Sequence, residues 1–362
     1  MKKFIRSITG KVDNDPVLSV DIGANSIKIV ELDPNEELPT LLNAAVIPTP
    51  PACFTGNVID DPDRVGEAIK LAVESNEMKA SKVVTAVAGP TSFVKRIMTS
   101  MTDPKDLHEN IGYEAGNYIP HNINNVHMDY QVLGKKGNAL DVLIIAVKNE
   151  VVDGYIKSIQ AAGLEPLIVD VDSYALENMF ESSYPEDMEK TVALLNVGAR
   201  FTSVNIQQGG KAIFKGEVSV GGKQYTTAIS DSLNISPGEA EEVKKGNIPE
   251  GVNVELVKEA IERTTENVAV ELERQVGFFW SASETDKPID VIYITGGGSL
   301  IPGLAEELNA KTGVDCEPLN PLKGMGGLDR FDQDYIDEIS PSMAVSVGLS
   351  GRHLGDKENK FE

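Results

Sequence analysis

The stretch Asp21-Ile22-Gly23-Ala24-Asn25-Ser26-Ile27-Lys28 gathers a carboxylate, a glycine, an amide, a hydroxyl and an ammonium in one short run. It lies between the β-rich segments 17–20 and 27–32. Two strands joined by a turn with Gly and Asn read as a β-hairpin. Asp21 closes the first strand, where its carboxylate can face a metal. Gly23 permits close backbone approach, and N–H groups clustered in such a turn make an anion-binding concavity. An acid for hydrated Mg2+, donors for phosphate oxygens and the Lys28 cation are what a Mg-nucleoside triphosphate needs. An ordinary hairpin with a polar turn has the same composition, so this stretch alone leaves both readings open.

A second copy follows about half a chain later. The strand ending at Asn196 runs into Val197-Gly198-Ala199, a polar turn with Arg200, and a further β-rich strand to Ile206. A third element carries the apolar strand 291–295 into Gly296-Gly297-Gly298 and then a helix. Each motif is weak alone; the order and spacing of the three make the set specific.

Positioning them takes a mixed α/β chain. Segment 40–47 reads as a third strand beside the first hairpin. Asp61-Pro62 opens a helix to about Ser75 with Val65, Ile69 and Val73 on one face. Strands at 82–88, 92–98, 126–133, 140–147 and 167–172 alternate with helices from Asp103-Pro104 to about Tyr118 and from 149 to 162, the latter ending at Gly163. Gly134 to Asn138 reads as a hairpin turn. This order describes a small α+β insert on a larger fold. The polar stretch 181–190 is the expected crossing between halves. In the second half, a helix begins at Gly221-Gly222-Lys223, and Ser236 caps another that ends at Gly246. A long helix over 254–282 carries Val257, Ile261, Val268, Leu272, Val276 and Phe279 as a core stripe. The tail 340–354 reads as helical, closing against the first half, and 355–362 as disordered.

Composition narrows the function. The 362 residues suffice for two domains with real cores, and 41% hydrophobic with 25% charged residues is a folded, soluble balance. A net charge of −23 argues against nucleic acid or an anionic bilayer as a partner of the whole body. Cys53 and Cys316 are the only cysteines, which fits a reducing compartment. No run reaches the ~18–20 apolar residues of a spanning helix. The basic segment 1–11 lacks a signal-peptide core and reads either as a frayed start or as a short interfacial helix. Gly221-Gly222-Lys223 fails as a Walker loop, and Gly296-Gly297-Gly298 fails as a dinucleotide fingerprint, having Ile301 where the third glycine belongs. His108, His121, His127 and His353 show no metal spacing.

Two phosphate-type hairpins and a glycine-rich strand-to-helix turn resemble the actin-like (ribonuclease H-like) ATPase fold. The chain is similar to the PilM family of the type IV pilus machine and to its FtsA relatives over nearly its whole length. Ala115-Gly116-Asn117-Tyr118-Ile119-Pro120, the run from Ala162 into 169–172, and the tail 344–349 carry the likeness beyond the nucleotide motifs. The resemblance implies a first lobe over 1–185 with its insert at about 83–150. A second lobe over 186–340 would hold a helical part at about 220–285, and a C-terminal helix over 341–362 would return to the first lobe. It implies ATP and Mg2+ between the lobes. Asp21 would orient the hydrated metal with Asp172 nearby. Gly23, Ala24, Asn25, Ser26 and Lys28 would contact the β- and γ-phosphates, with Asn196, Gly198, Ala199 and Arg200 opposing them. Gly296, Gly297 and Gly298 would line the α-phosphate and adenosine, with Glu241 and Lys244 at base and ribose. It further implies a cytoplasmic protein held at the inner membrane by partners: the N-terminal tail of PilN in a groove by the insert, and the pilus motor ATPases.

One position departs from the actin-like ATPases with brisk turnover. Asn196 stands where they carry an acid, and an amide supplies neither negative charge to Mg2+ nor an easy proton acceptor. Tight nucleotide binding with slow or absent hydrolysis is the expectation. An FtsA-like filament-forming, self-associating ATPase and a sugar-type kinase are the alternatives, although no kinase acid motif is present.

Overall fold

The computed structural model describes residues 16–33, 39–282 and 288–352, with the side chains of 279–282 outside it. The expectations for 1–11 and 355–362, the helical tail beyond residue 352, the core role of Phe279 and the reading of His353 lie outside the described residues. The chain divides into two compact units. One takes in the described residues up to Ile22, Ile29–Asp172 and those from Leu349; the other takes in Gly23–Lys28 and Ser173–Gly348.

The first unit is built on a five-stranded sheet. Strands β1 (Val17–Ile22), β2 (Ser26–Asp33) and β3 (Thr40–Pro48) lie side by side, and a two-stranded ribbon of β4 (Phe54–Thr55) and β5 (Val58–Ile59) follows the proline break. Helix α1 (Pro62–Ser75) starts as its sequence dictates: Pro62 occupies the first turn and the Asp61 carboxylate accepts the Arg64 N–H at 3.1 Å. Its buried face is Val65, Gly66, Ile69 and Ala72, with Val73 only half-buried. The face turns because a Cβ on Gly66 would stand 2.5 Å from the Ala161 Cβ, so the glycine lets a second helix lie close. Strand β6 (Lys82–Val87) pairs parallel with β1 and belongs to this sheet, so the separate small sheet begins at Ser92. That sheet consists of β7 (Ser92–Thr99), β8 (Val126–Lys136) and β9 (Ala139–Lys148), in the order β7-β9-β8, with helix α2 (Pro104–Ala115). Helix α2 stops three residues before Tyr118, and β8 continues to Lys136, so the turn is Gly137-Asn138 alone. Leu107, Ile111 and Ala115 of α2 pack on Val132, Leu140, Val142 and Ile144 to form a separate small core. Helix α3 (Asn149–Ala161) and strand β10 (Glu165–Val171) return the chain to the main sheet, Gly163 taking φ +77° after the helix. In that sheet Glu31, 1% exposed, accepts the N–H groups of Lys79 and Ala80 at 2.9 and 2.8 Å and the Asn43 amide at 2.6 Å. A buried carboxylate so bonded fastens the approach to β6 onto β2.

Asp141 of β9 is 2% exposed and ion-paired to Arg96 of β7 and, at 3.1 Å, to Lys136. The Arg96 guanidinium holds its carboxyl at about 2 against the opposing effect of burial, and Lys136 adds to the lowering. A carboxylate held below its unfolded value of 3.8 gives stability that is complete above that value and is lost as pH falls toward 2. Asp141→Asn is expected to lose about 2 kcal/mol in urea unfolding at neutral pH, with the gap closing as the solution is acidified through that range.

The second unit opens with α4 (Asp172–Ser183), a helix the sequence reading does not anticipate, burying Ala175, Leu176, Met179 and Phe180. The chain passes between units at Asp172–Ser173 rather than across 181–190. Strands β11 (Thr191–Val197), β12 (Thr202–Gln208) and β13 (Lys211–Val218) form an antiparallel meander. Helices α5 (Gly222–Leu233), α6 (Pro237–Lys244) and α7 (Val254–Ala282) follow, then β14 (Val291–Thr295), α8 (Leu304–Thr312) and β15 (Cys316–Pro318). The sheet order is β13-β12-β11-β14-β15, with β14 and β15 parallel additions. Helix α6 carries a full capping box, Ser236 and Glu239 each bonding the other's backbone. Val268, Leu272 and Val276 of α7 pack on the sheet, while Val257 joins a smaller cluster with Ile229, Ala240 and Val243. Helices α9 (Gln333–Ile339) and α10 (Ala344–Ser350) complete the described chain. The tail clusters with the second unit through Gly348, and only from Leu349 with the first.

Candidate functional site

The two hairpins turn in the same way. The Gly23 N–H donates to the Ser26 carbonyl at 3.1 Å, and the Gly198 N–H to the Phe201 carbonyl at 2.9 Å. In each, a Cβ would stand 2.9 Å from that carbonyl, so only glycine closes either turn without displacement. Lys28 brings its ammonium back over the first turn, with Nζ 3.0 Å from where a Gly23 Cβ would lie. Ala24 and Asn25 are exposed at its tip.

A polar network joins the first turn to α5 and α6 within the second unit. Asn25 Nδ2 donates to Glu241 Oε1 at 3.3 Å. Glu241 Oε2 accepts the Thr226 hydroxyl at 2.5 Å and the Lys244 ammonium at 2.6 Å. Lys244 also donates to the Thr226 hydroxyl at 3.1 Å and to the Gly222 carbonyl at 3.4 Å. Burial would raise the Glu241 carboxyl, but hydrogen bonds from Lys244 and Thr226 outweigh it and hold the group below its ordinary range. Glu241 and Lys244 lie one turn apart on α6, where i, i+3 side chains meet.

The second hairpin rests on the start of α5. Gly222 N–H donates to the Gly198 carbonyl at 3.0 Å and Lys223 N–H to the Ala199 carbonyl at 2.8 Å. A Cβ on Gly221 would lie 2.5 Å from the Gly198 carbonyl, so the glycine pair dismissed as a Walker loop serves as a seat for the turn. The triple glycine divides by role. Gly296, at φ +86°, faces Asn196 Oδ1 and Val197, and a Cβ on Gly298 would lie 2.4 Å from Val197 Cγ1. Gly297 alone of the three is exposed, with open space where its side chain would be.

The structure therefore gathers Asn25, Glu241 and Lys244 with the α5 end that carries Gly198 and Ala199, and sets Asn196 against Gly296. Arg200 lines a cleft beside α5. Asp21 and Asp172 belong to the first unit. Burial pushes the Tyr155 phenol up, and the charges of Asp21 and then Asp172 push it further, so both carboxylates act on one buried ring. Asp172 Oδ1 also accepts the Gly89 N–H at 2.9 Å. Among the described residues no three or more His, Cys, Asp or Glu side chains gather as a metal nest. Mg2+ commonly keeps its waters and takes one or two carboxylates. Sequence reasoning missed Thr226, Gly221 and Tyr155. A glycine pair opening a helix just after the second hairpin was the available signal for Gly221.

Paired glycine hairpins, a triple-glycine turn and two sheet-based units define an actin-like α/β fold. The ethanolamine utilization protein EutJ from Carboxydothermus hydrogenoformans shares that fold at 14% identity, TM-score 0.57, covering 96% of this chain and 93% of that one. MreB5 of Spiroplasma citri bound to ADP shares it at 10% identity, TM-score 0.52, covering 92% and 94%. The sequence profile of the family described as type IV pilus assembly protein PilM matches residues 19–354, and the chain belongs to that family. The solved PilM–PilN type IV pilus biogenesis complex is similar at 29% identity and TM-score 0.81, covering 93% of this chain and 98% of that one. Cell division protein FtsA of Staphylococcus epidermidis strain RP62A is 22% identical over 259 residues, 63% of this chain and 53% of that protein. The chain spans about half the length of the curated relatives it matches. No helix among the described residues is long and apolar enough to cross a membrane.

Proposed function

We propose that this chain is a nucleotide-binding adaptor of the type IV pilus assembly machine. The observation that carries the reading is the Asn25–Glu241–Lys244–Thr226 network, which ties the first hairpin turn to the helix end on which the second hairpin rests. The residues fit Mg-ATP. The Gly23 and Gly198 N–H groups close their own turns, so the donors a phosphate would meet are those of Ala24, Asn25, Ala199 and Arg200, with Lys28 as the cation. Exposed Gly297 admits the ligand without a side chain in the way, beside Gly296 and Gly298. Glu241 and Lys244 would exchange part of their mutual pairing for base and ribose. Asp21, with Asp172, would hold the hydrated Mg2+, which supplies charge neutralisation at the phosphates when bound. Asn196 in place of an acid supports storage of nucleotide over turnover, with hydrolysis far slower than the ordinary ~1–1000 per second.

The partner in this reading is the N-terminal cytoplasmic tail of an inner-membrane PilN. It is supported by the similar PilM–PilN complex and would be received in a groove by the three-stranded subdomain of the first unit. Such a protein works at the cytoplasmic face of the inner membrane and links the alignment complex to the motor ATPases. Calorimetric titration of nucleotide-stripped protein with Mg-ATP, with and without a synthetic PilN tail peptide, tests both halves. Saturable ATP binding with slow phosphate release is expected, and absence of binding heat at several temperatures would reduce the fold to a scaffold. The FtsA likeness favours a second reading, filament formation, which sedimentation with ATP would detect.

A further inference from the structure

Acids outnumber bases 56 to 33 in this chain, and many of the described cations are paired with carboxylates, as Lys244, Lys215 and Lys190 are. One cleft of about 680 Å³ in the second unit brings three cations together. Arg200 from the second hairpin turn, Lys223 from the first turn of α5 and Arg263 from α7 line it, with Asp231 as the one acid. Among the described residues the side chains of Lys223 and Arg263 make neither an ion pair nor a hydrogen bond. Thr227 and Asn267 add neutral hydrogen-bonding groups between them. The lining leaves out Thr226, Glu241 and Lys244 but takes in Ala199 and Arg200 of the second hairpin, so the cleft adjoins the phosphate hairpin without including the Glu241–Lys244 network.

We propose that this cleft docks an acidic peptide segment of a protein partner. Three cations on three elements, converging in a protein of net charge −23, form the local complement of such a segment. Charge repulsion from the acidic surface elsewhere then favours this place for an acidic chain. The shape favours a peptide over a compact anion. The cleft is open to solvent, and its polarity changes along its length. Lys223, Thr227 and Asp231 follow one another up one face of α5, roughly 12 Å from first to last at 1.5 Å per residue. A phosphate would satisfy the cationic end and be repelled at the other. A peptide with carboxylates at the Arg200–Lys223–Arg263 end and backbone or basic donors at Asp231 uses both, and its polarity fixes its direction in the cleft.

The test is fluorescence anisotropy of a labelled short glutamate-rich peptide against the full chain at low salt. Saturable binding is expected, weakened about tenfold or more in the Lys223→Gln/Arg263→Gln double variant. Asp231→Asn should tighten binding about two- to threefold, a gain that loss of fold cannot produce. Arg200 is left intact because it belongs to the hairpin proposed for phosphate. Equal binding by the parent and the double variant, or no binding by the parent, would overturn the proposal. So would displacement of the peptide by inorganic phosphate or tripolyphosphate at matching concentration, which would make the cleft a small-anion site. Lys223, Arg263 and Asp231 are not among the residues proposed for the nucleotide, so Mg-ATP titration of the same variants should match the parent, and failure of ATP binding by the parent leaves this inference standing.

Discussion

Gly348→Ala is expected to remove more than about 4 kcal/mol of folding stability, or to prevent accumulation of folded protein. The reason is a backbone-to-backbone approach. Helix α10 crosses α4 so closely that a Cβ on Gly348 would stand 1.7 Å from the Ala175 carbonyl oxygen and 2.5 Å from its carbon. Overpacking that meets flexible side chains costs about 1–3 kcal/mol because they can rotate away. Here the obstacle is main chain inside a helix, and Ala175 is fully buried, so α10 must shift as a body. Urea and thermal unfolding measure the effect, with a drop in Tm of roughly 5 °C or more. Gly297→Ala is the control: nothing stands within 4 Å of its added methyl, so its stability should stay within about 0.5 kcal/mol of the parent. Equal stabilities for the two variants would refute the close crossing.

Asp21→Ala is expected to weaken Mg-ATP binding about 10–100-fold, the usual penalty for losing a partner that orients a metal's surroundings. Asp21 is the penultimate residue of β1, one residue before the turn that carries Gly23, and its charge reaches the same buried Tyr155 ring as that of Asp172. The metal dependence separates this role from a structural one. Affinity for ATP in excess chelator should change little, because Asp21 would act through hydrated Mg2+ and not on the phosphates themselves. A variant that binds Mg-ATP as tightly as the parent would mean the first hairpin is not the phosphate site.

Local signals were the legible ones. Asp61-Pro62 and Ser236-Pro237 announced helix starts because an N-cap and a proline act within a few residues, and the structure has both. The β1–β2 and β11–β12 hairpins were legible through short apolar runs around a glycine turn. Helix α4 was missed although Ala175, Leu176, Met179 and Phe180 have helical spacing. It follows β10 without a break and begins at Asp172, which read as the end of a strand. The β4–β5 ribbon is too short for any periodicity to show. Glycine roles were hidden for a different reason: Gly348 needs Ala175, Gly66 needs Ala161 and Gly296 needs Asn196, all partners distant in sequence. Glu241 and Lys244 were brought together only by the resemblance, and neither it nor the residue pattern carried their tie to Asn25, which only the folded chain supplies.

The interleaving of the two units sets an order of synthesis. The first unit has almost all of its chain once Asp172 has left the ribosome, but its last contribution begins at Leu349. At about 5–20 residues per second, the interval is roughly 10–35 s, long compared with the folding of a small domain. Through that interval Asp170, whose side chain is 9% exposed in the finished protein, lacks the Arg352 guanidinium that ends 3.0 Å from it. The nascent first unit is therefore an incomplete intermediate that a ribosome-bound chaperone would meet. No contiguous fragment of the gene encodes either unit without part of the other, so a stop codon anywhere before residue 349 leaves the first unit unfinished as well as the second.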